Sequence, residues 1–571
     1  MRAPRWIAAA LAALALALAA AGPASAQAPL PPRGTIETPA GYELSARQAG
    51  RIANQVPDVF FVSEKEDRLR MVVQAKPPLK WEVTYYDPDD DAVVQVHVDG
   101  RTGEVLETWT GYQAAWGMAR GYEGQFGHAL NAPWVWIPLC ALFFVVLFDW
   151  RRARRWAHLD LLVLLAFGAS HYFFNLGEIG VSVPLAYPPL LYLLARMLWL
   201  GFRGAGGLNP RVPTIALLLL CLLLAAFRIT LNVVDSGVID VGYAGVIGAE
   251  RITHGEDVWG DFAFPADNRR GDTYGPANYL FYVPFELIWP WSGEWDELRA
   301  AHGAAIFFDL LTVAGLFALG LRLRPGSREA GIRTGLILAF AWLAYPYTAF
   351  ALQSNSNDAL VAALLVWGLV AWTSPLGRGA LVAVAGMVKF APLALAPLYI
   401  TGSRALRPAA RAARGGGVGA ALRRFLRGGQ ARAGLAFAVM TGALLALPLL
   451  SVGLETFWER TAASQLERES PFSIWGQVEG LEWLQKAVLA AGGLLALALA
   501  FVPRERGSAR AAALAAAVMI ALELAVDHWF YLYIPWFCGL VFAALVGDEE
   551  ERRKTGSPAG GVASRPTLAG Y

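Results

Sequence analysis

From residue 133 to residue 546 the chain repeats one pattern: an apolar run long enough to cross a bilayer, a short polar stretch, and arginine clusters at alternate stretches. A helix of about 20 apolar residues matches the hydrocarbon core of a bilayer, so the pattern predicts a polytopic helical membrane protein. A hydrophobic fraction of 56% with only 16% charged residues excludes an ordinary soluble globule of 571 residues. The net charge of +2 is spread over short basic clusters instead of one basic face, so no nucleic-acid partner is expected. The three cysteines, Cys140, Cys221 and Cys538, lie inside apolar runs, which excludes a disulfide or Cys-metal framework.

Orientation follows from the arginines, because cytoplasmic loops carry an excess of basic residues. The cluster WRRARRWAH puts the end of run 133–149 inside. Run 159–175 then returns outward, 183–201 goes in and 213–231 comes out, leaving residues 232–295 outside. Runs 301–322 and 358–374 descend, with 332–350 ascending between them. Counting back from the charged tail DEEERRK, 528–546 and 485–502 descend while 511–526 and 433–452 ascend. Residues 403–432 carry eight arginines and no acidic residue, and so belong inside. The two counts collide on residues 379–402, which begin and end on the same side. A broken or re-entrant hairpin, interrupted at Pro392 and Pro397, resolves the conflict and puts Lys389 near its apex. A lysine buried at membrane depth requires a partner. The expected architecture is thus about eleven spans plus one broken helix.

The N-terminus reads differently. Residues 1–26 have a basic start, an apolar middle and small residues ending at Ala24-Ser25-Ala26, the pattern of an export signal, with an uncleaved anchor as the alternative. Residues 27–115 then lie outside. The run SARQAGRIANQV has helical spacing, and RLRMVVQA, KWEVTYYD and AVVQVHV through DGRTG into EVLETW read as strands of an antiparallel sheet with the helix on one face. VHVDGRTGEVLETW resembles the closing hairpin of a PepSY-like domain. That resemblance implies a small regulatory or partner-binding α+β module; the alternative is a folded cap without chemistry. The acidic stretch DPDDD lacks the spacing and terminal Glu of a calcium loop and reads as a solvated turn. Residues 133–205 are additional membrane helices, 206–548 the main membrane domain and 549–571 a cytoplasmic tail.

Chemistry concentrates in the outer loop, where carboxylates stand beside glycines and aromatics. Asp240 begins VGYAGVIGAERITHG, in which Tyr243, Ile247, Glu250 and Arg251 fall at helical spacing, so Asp240 heads a short surface helix; a plain helix cap is the alternative. Asp235 is the second acidic candidate. The loop D-x-x-Y-x-x-x-x-x-G-A-E-x-I-x-x-G, followed by Tyr274-Gly275-Pro276 and an aromatic run, resembles the first outer loop of GT-C superfamily glycosyltransferases, and glycosyltransferase family 87 in particular. FDLLTVAGLFALG at Asp309, QSNSNDAL, GMVKFAPLALAP and ESPFSIWG agree with that resemblance. It implies an enzyme moving a sugar, mannose or another hexose or pentose, from a polyprenyl-phosphate donor to an envelope glycan, lipid or protein acceptor outside a bacterial plasma membrane. In that family an acid of this loop is the general base, which maps onto Asp240.

Lys389, with Arg460 or Arg468, would contact the donor phosphate. Asn355, Asn357 and Asp358 begin a descending helix and suit either capping or sugar binding. Ser473, Trp475 and His528 would face substrate, as would Tyr243, Glu250 and Tyr274. The alternatives are an interfacial aromatic belt around His528 and a solvated charged helix around the two arginines. With no HExxH or CxxC spacing, neither a metal nor a cofactor is expected. Two other readings remain: a transporter or flippase of lipid-linked sugars, and a membrane-anchored sensor or assembly protein.

Overall fold

The computed structural model describes residues 38–65, 68–76, 79–89, 91–124, 126–204, 206–260, 271–293, 298–406, 428–463 and 470–547. The export-signal stretch, Arg468 and the tail 549–571 lie outside the described residues.

The N-terminal module is α+β. Helices α1 (Ala46–Ala53) and α2 (Pro57–Ser63) pack on a four-stranded antiparallel sheet, β1 (Arg70–Lys76), β2 (Lys80–Tyr86), β3 (Ala92–Asp99) and β4 (Val105–Thr110), in the order β1-β2-β3-β4. Period-two alternation puts Trp81, Val83 and Tyr85 with Val94, Val96 and Val98 on the helix side as the core. Glu82, Thr84, Gln95 and His97 fall on the opposite face. Ser45 and Gln48 form a capping box at α1. The DPDDD stretch is a turn in which Asp87 Oδ1 accepts from the amides of Asp89 and Asp91 at 3.0 and 2.9 Å.

The rest of the chain is a helical bundle. Its helices are α3 (Pro133–Leu147), α4 (Trp156–Phe174), α5 (Ile179–Arg203), α6 (Thr214–Val234), the loop helices α7 (Asp240–His254) and α8 (Pro276–Glu286), α9 (Arg299–Leu323), α10 (Arg328–Ala344) and α11 (Pro346–Gln353). Then follow α12 (Asp358–Val370), α13 (Pro375–Val388), a 3-10 turn Ala391–Leu395, α14 (Ala396–Thr401), α15 (Gly429–Ser451), α16 (Glu482–Ala498), α17 (Ser508–Glu523) and α18 (Ile534–Val546). A helix stands at each of the eleven expected runs. Among the described residues, five are long and apolar enough to cross a membrane, or six if the bent pair α10–α11 is one span.

The bend between α10 and α11 is 61°, at Pro346. It frees carbonyls that Arg228 of α6 satisfies: its guanidinium donates to Trp342 O, Leu343 O and Thr348 O at 2.9–3.1 Å and pairs with Asp309 at 2.6 Å. Trp342 Nε1 donates to the same Asp309 oxygen at 2.7 Å. The charge in the FDLLTVAGLFALG motif is therefore an anchor for a broken helix.

At one end of the bundle, arginines close the C-termini of the helices that finish there. Arg324 reaches the carbonyls of Val546 and Gly547, Arg506 those of Leu499 and Gly402, Arg378 those of Tyr399 and Ile400, and Arg155 that of Gly207. These side chains satisfy carbonyls that a helix end leaves unpaired. Asp235, Asp240, Asp272, Asp358 and Glu523 collect at the other end.

Candidate functional site

The hairpin expected at residues 379–402 positions the site. Helix α13 rises from the arginine end and breaks at Lys389-Phe390, and the chain then returns through α14 until Tyr399 and Gly402 meet Arg378, near where α13 began. The break therefore precedes Pro392 instead of falling on the prolines. At the tip, the Lys389 ammonium pairs with the Asp358 carboxylate at the start of α12. Trp536 Nε1 donates to Asp358 Oδ1 at 2.8 Å. The ammonium also lies 4.9 Å from the Trp536 ring and 5.8 Å from those of Tyr274 and Tyr533. An ammonium so placed gains both a carboxylate and aromatic faces, which compensates its removal from water.

Gly275 holds the Tyr274 turn against this tip. Its amide meets Val388 O at 3.4 Å, and a Cβ at Gly275 would come within 2.2 Å of Met387 O. Burial, and then the Asp240 and Asp358 carboxylates within electrostatic range, hold the Tyr274 hydroxyl well above its usual pKa. Asp240, Tyr274, Asp358, Lys389, Tyr533 and Trp536 thus form one constellation drawn from five parts of the chain.

Helix α7, which carries Asp240, is not the surface helix that the spacing suggests: residues 241–249 are all buried. The reason is a glycine face. A Cβ would stand 2.7 Å from Asn355 O at Gly242, 2.5 Å from the Tyr282 ring at Gly245 and 2.2 Å from the Tyr279 ring at Gly248. Nor is Asp240 the cap; Ile239 holds that position and makes no side-chain cap bond. Tyr243 is enclosed by this packing. Glu250 stands ten residues further along the helix, about 15 Å from Asp240 at 1.5 Å per residue, beside His254.

Asn355 and Asn357 bind other parts of the protein. Asn355 adopts a positive φ of 50° and bonds Asn232, Ser236 Oγ and Gly237 O at 2.8–3.0 Å, fixing the loop that leads to Asp240. Asn357 stands at the N-cap position of α12 but makes no side-chain cap bond there, its Nδ2 donating instead to Asn278 Oδ1 at 2.7 Å, and the Asp358 carboxylate is taken by Lys389 and Trp536. Among the described residues, Asn357 Oδ1, Asn278 Nδ2 and the Tyr282 hydroxyl are buried and meet no hydrogen-bond partner.

Asp235 belongs elsewhere: it accepts from Ala129 N at 3.1 Å and lies 3.4 Å from His128, tying the entry to α3 down. Arg460 is held by Asp272, at 2.5 Å through Nε and 3.0 Å through a terminal nitrogen. Ser473 caps a short turn by accepting from Gly476 N, and Trp475 donates to Leu524 O. His528 is 2.9 Å from Ser470 Oγ and packs against Phe472 and Trp116. These last residues form a second group, where the module's connecting segment meets the bundle.

Sequence reasoning missed the part played by Trp536, Asn278, Tyr282 and Glu523. Trp536 sits in an unbroken apolar run, where nothing distinguishes a hydrogen-bonding indole from a lipid-facing one. Glu523 ends α17, receives a bond from Trp529 Nε1 at 3.1 Å, and lies within electrostatic range of Asp358. A lone acid inside an alanine-rich span was the available signal. Among the described residues no cluster of three or more His, Cys, Asp or Glu is arranged to hold a metal ion. No protein-family model matches the chain, and no curated protein is significantly similar to it.

Proposed function

We propose that this chain is a multi-pass membrane glycosyltransferase that takes a sugar from a polyprenyl-phosphate donor and inverts the anomeric configuration. The observation that carries the reading is the convergence of Asp240, Tyr274 and the Asp358–Lys389 pair at the tip of a hairpin returning to the arginine end. With the arginine end cytoplasmic, the bundle has about eleven spans and the constellation faces outward. The acceptor hydroxyl attacks the anomeric carbon and passes its proton to Asp240, while the bond to the phosphate oxygen breaks and the phosphate leaves with the electron pair. Asp358 holds Lys389 in place, and the ammonium keeps further donors for the phosphate. Tyr274 and Tyr533, which are only partly buried, offer ring surface to a sugar. The acceptor is an envelope glycan, lipid or protein.

The test is transfer of labelled mannose from polyprenyl-phosphate mannose by the protein in nanodiscs, with other hexose and pentose donors in parallel. Asp240→Asn should lower turnover by roughly 10² to 10⁴ and leave donor binding intact. Lys389→Met should weaken both. Asp235→Asn should keep transfer, since Asp235 serves the 128–129 turn. Transfer surviving Asp240→Asn but lost in Asp235→Asn would reassign the base. Movement of donor lipid across the bilayer without transfer would favour the transporter, to which a broken hairpin with an intramembrane lysine is also suited.

A further inference from the structure

The N-terminal module carries a cavity of about 300 Å³ between the polar face of its sheet and the segment that connects it to α3. The volume is at the small end of ligand sites and suits one ring-sized group. Two aromatic rings line it, Tyr86 and Trp116, and between them stand Gln74, Glu82, Thr84 and Gln95, with Asp91 exposed at the rim.

The polar groups are ordered before any ligand arrives. Gln95 Nε2 donates to Thr84 Oγ1 at 3.1 Å, and Gln95 Oε1 accepts from Arg120 at 2.6 Å. Glu82 lies 3.3 Å from His97 and 3.7 Å from Lys76. The Gln74 side-chain amide, by contrast, makes no hydrogen bond among the described residues, so its donor and acceptor remain available. Charge on the walls is balanced: Glu82 is offset by Lys76, His97 and Arg120, and His97 is held between Glu82 and Glu107, while Asp91 stands exposed at the rim. Inside the rim, neither a free cation nor an anion finds an uncompensated partner. Amides, a hydroxyl and carboxylates between aromatic rings instead match a neutral ring bearing several hydroxyls, whose polar edges need planar donors and acceptors and whose C–H face packs on aromatics.

We propose that this cavity binds a neutral sugar residue of a glycan. The Trp116 wall also packs edge-on against Phe472 at 4.8 Å and tilts over His528 at 6.4 Å, so a glycan held here lies where the module meets the bundle. That the glycan is the acceptor rests on the transferase reading; the binding itself does not.

The experiment is a ligand-detected NMR titration of the full chain in nanodiscs, without donor lipid. The probes are methyl mannoside, methyl glucoside and maltotriose, compared with glucuronate and glucosamine. Neutral glycosides should bind saturably. Gln74→Ala, which leaves every internal hydrogen bond in place, should weaken them about three- to tenfold, the effect of one lost hydrogen bond. Gln74→Trp, which fills the cavity, should abolish binding. Absence of saturable binding, preference for the charged sugars, or unchanged affinity in both variants overturns the proposal. Because no turnover is measured, sugar binding by a chain that transfers nothing would sink the transferase reading and leave this one standing.

Discussion

Lys389 and Asp358 offer the sharpest energetic test, because the side chains are 11% and 1% exposed and each is the other's only opposite charge within salt-bridge distance among the described residues. Breaking a buried pair by removing one partner strands a charge and costs about 3–5 kcal/mol. Asp358→Asn keeps an oxygen for Trp536 Nε1, now 2.8 Å away, but leaves the ammonium with only the rings of Tyr274, Tyr533 and Trp536. Those faces return about 1–2 kcal/mol when desolvated, so a loss near the lower end of that range, about 3 kcal/mol, is expected. Lys389→Met keeps the stem's packing and strands a carboxylate whose one remaining donor is an indole, so its loss should be the larger, about 4–5 kcal/mol. The double variant removes both charges, retains the indole bond, and should lose less than either single variant. The assay is unfolding of the purified protein in detergent, followed by tryptophan fluorescence, for the four members of the cycle. Losses that add to within about 0.5 kcal/mol would mean the two groups are not coupled, and the hairpin tip would need another anchor.

Gly248→Ala puts a methyl 2.2 Å from the Tyr279 ring; it should destabilise by about 1–3 kcal/mol through overpacking and reduce transfer by shifting α7, whereas Gly180→Ala, whose Cβ meets nothing within 4 Å, should be near neutral in the same unfolding assay. In the N-terminal module, Glu107 and then Glu82 hold His97 above its usual pKa against the opposing effect of burial, while His97 holds Glu107 down at about 2. The raised histidine contributes stability that is full below its unfolded pKa near 6.5 and is lost as pH rises through the folded value. The lowered glutamate contributes stability present above about 4.5 and lost as pH falls toward 2. Hydrogen exchange of the β3 and β4 amides in the full chain, corrected for intrinsic rate, should therefore be slowest between about pH 4.5 and 6.5, and His97→Gln should flatten the rise above that window; equal slopes in both proteins would refute the assignment. A cysteine at Asp257 should react with an impermeant maleimide on intact cells, and one at Arg152 only after permeabilisation; the reverse would invert the proposed orientation.

Much of the architecture is legible one segment at a time. Hydrophobic length specifies each helix because the bilayer leaves a backbone no other partners, and alternation in KWEVTYY and AVVQVHV specifies which face of the sheet is core. The collision of two topology counts on residues 379–402 locates the hairpin and its lysine from sequence alone, since charge bias is a sum over loops and needs no tertiary information. Tertiary structure decided what each polar residue does. Asp235 and Asp240 look alike in sequence, five residues apart, yet one is tied to Ala129 and His128 and the other lies within electrostatic range of Tyr274. Asn357 and Asp358 suit a helix cap by type, but bond Asn278 and Lys389 instead. The cause is physical: a buried polar group takes whichever partner packing delivers from distant parts of the chain, and that depends on the glycine face of α7, the turn at Gly275 and the return of the hairpin acting together.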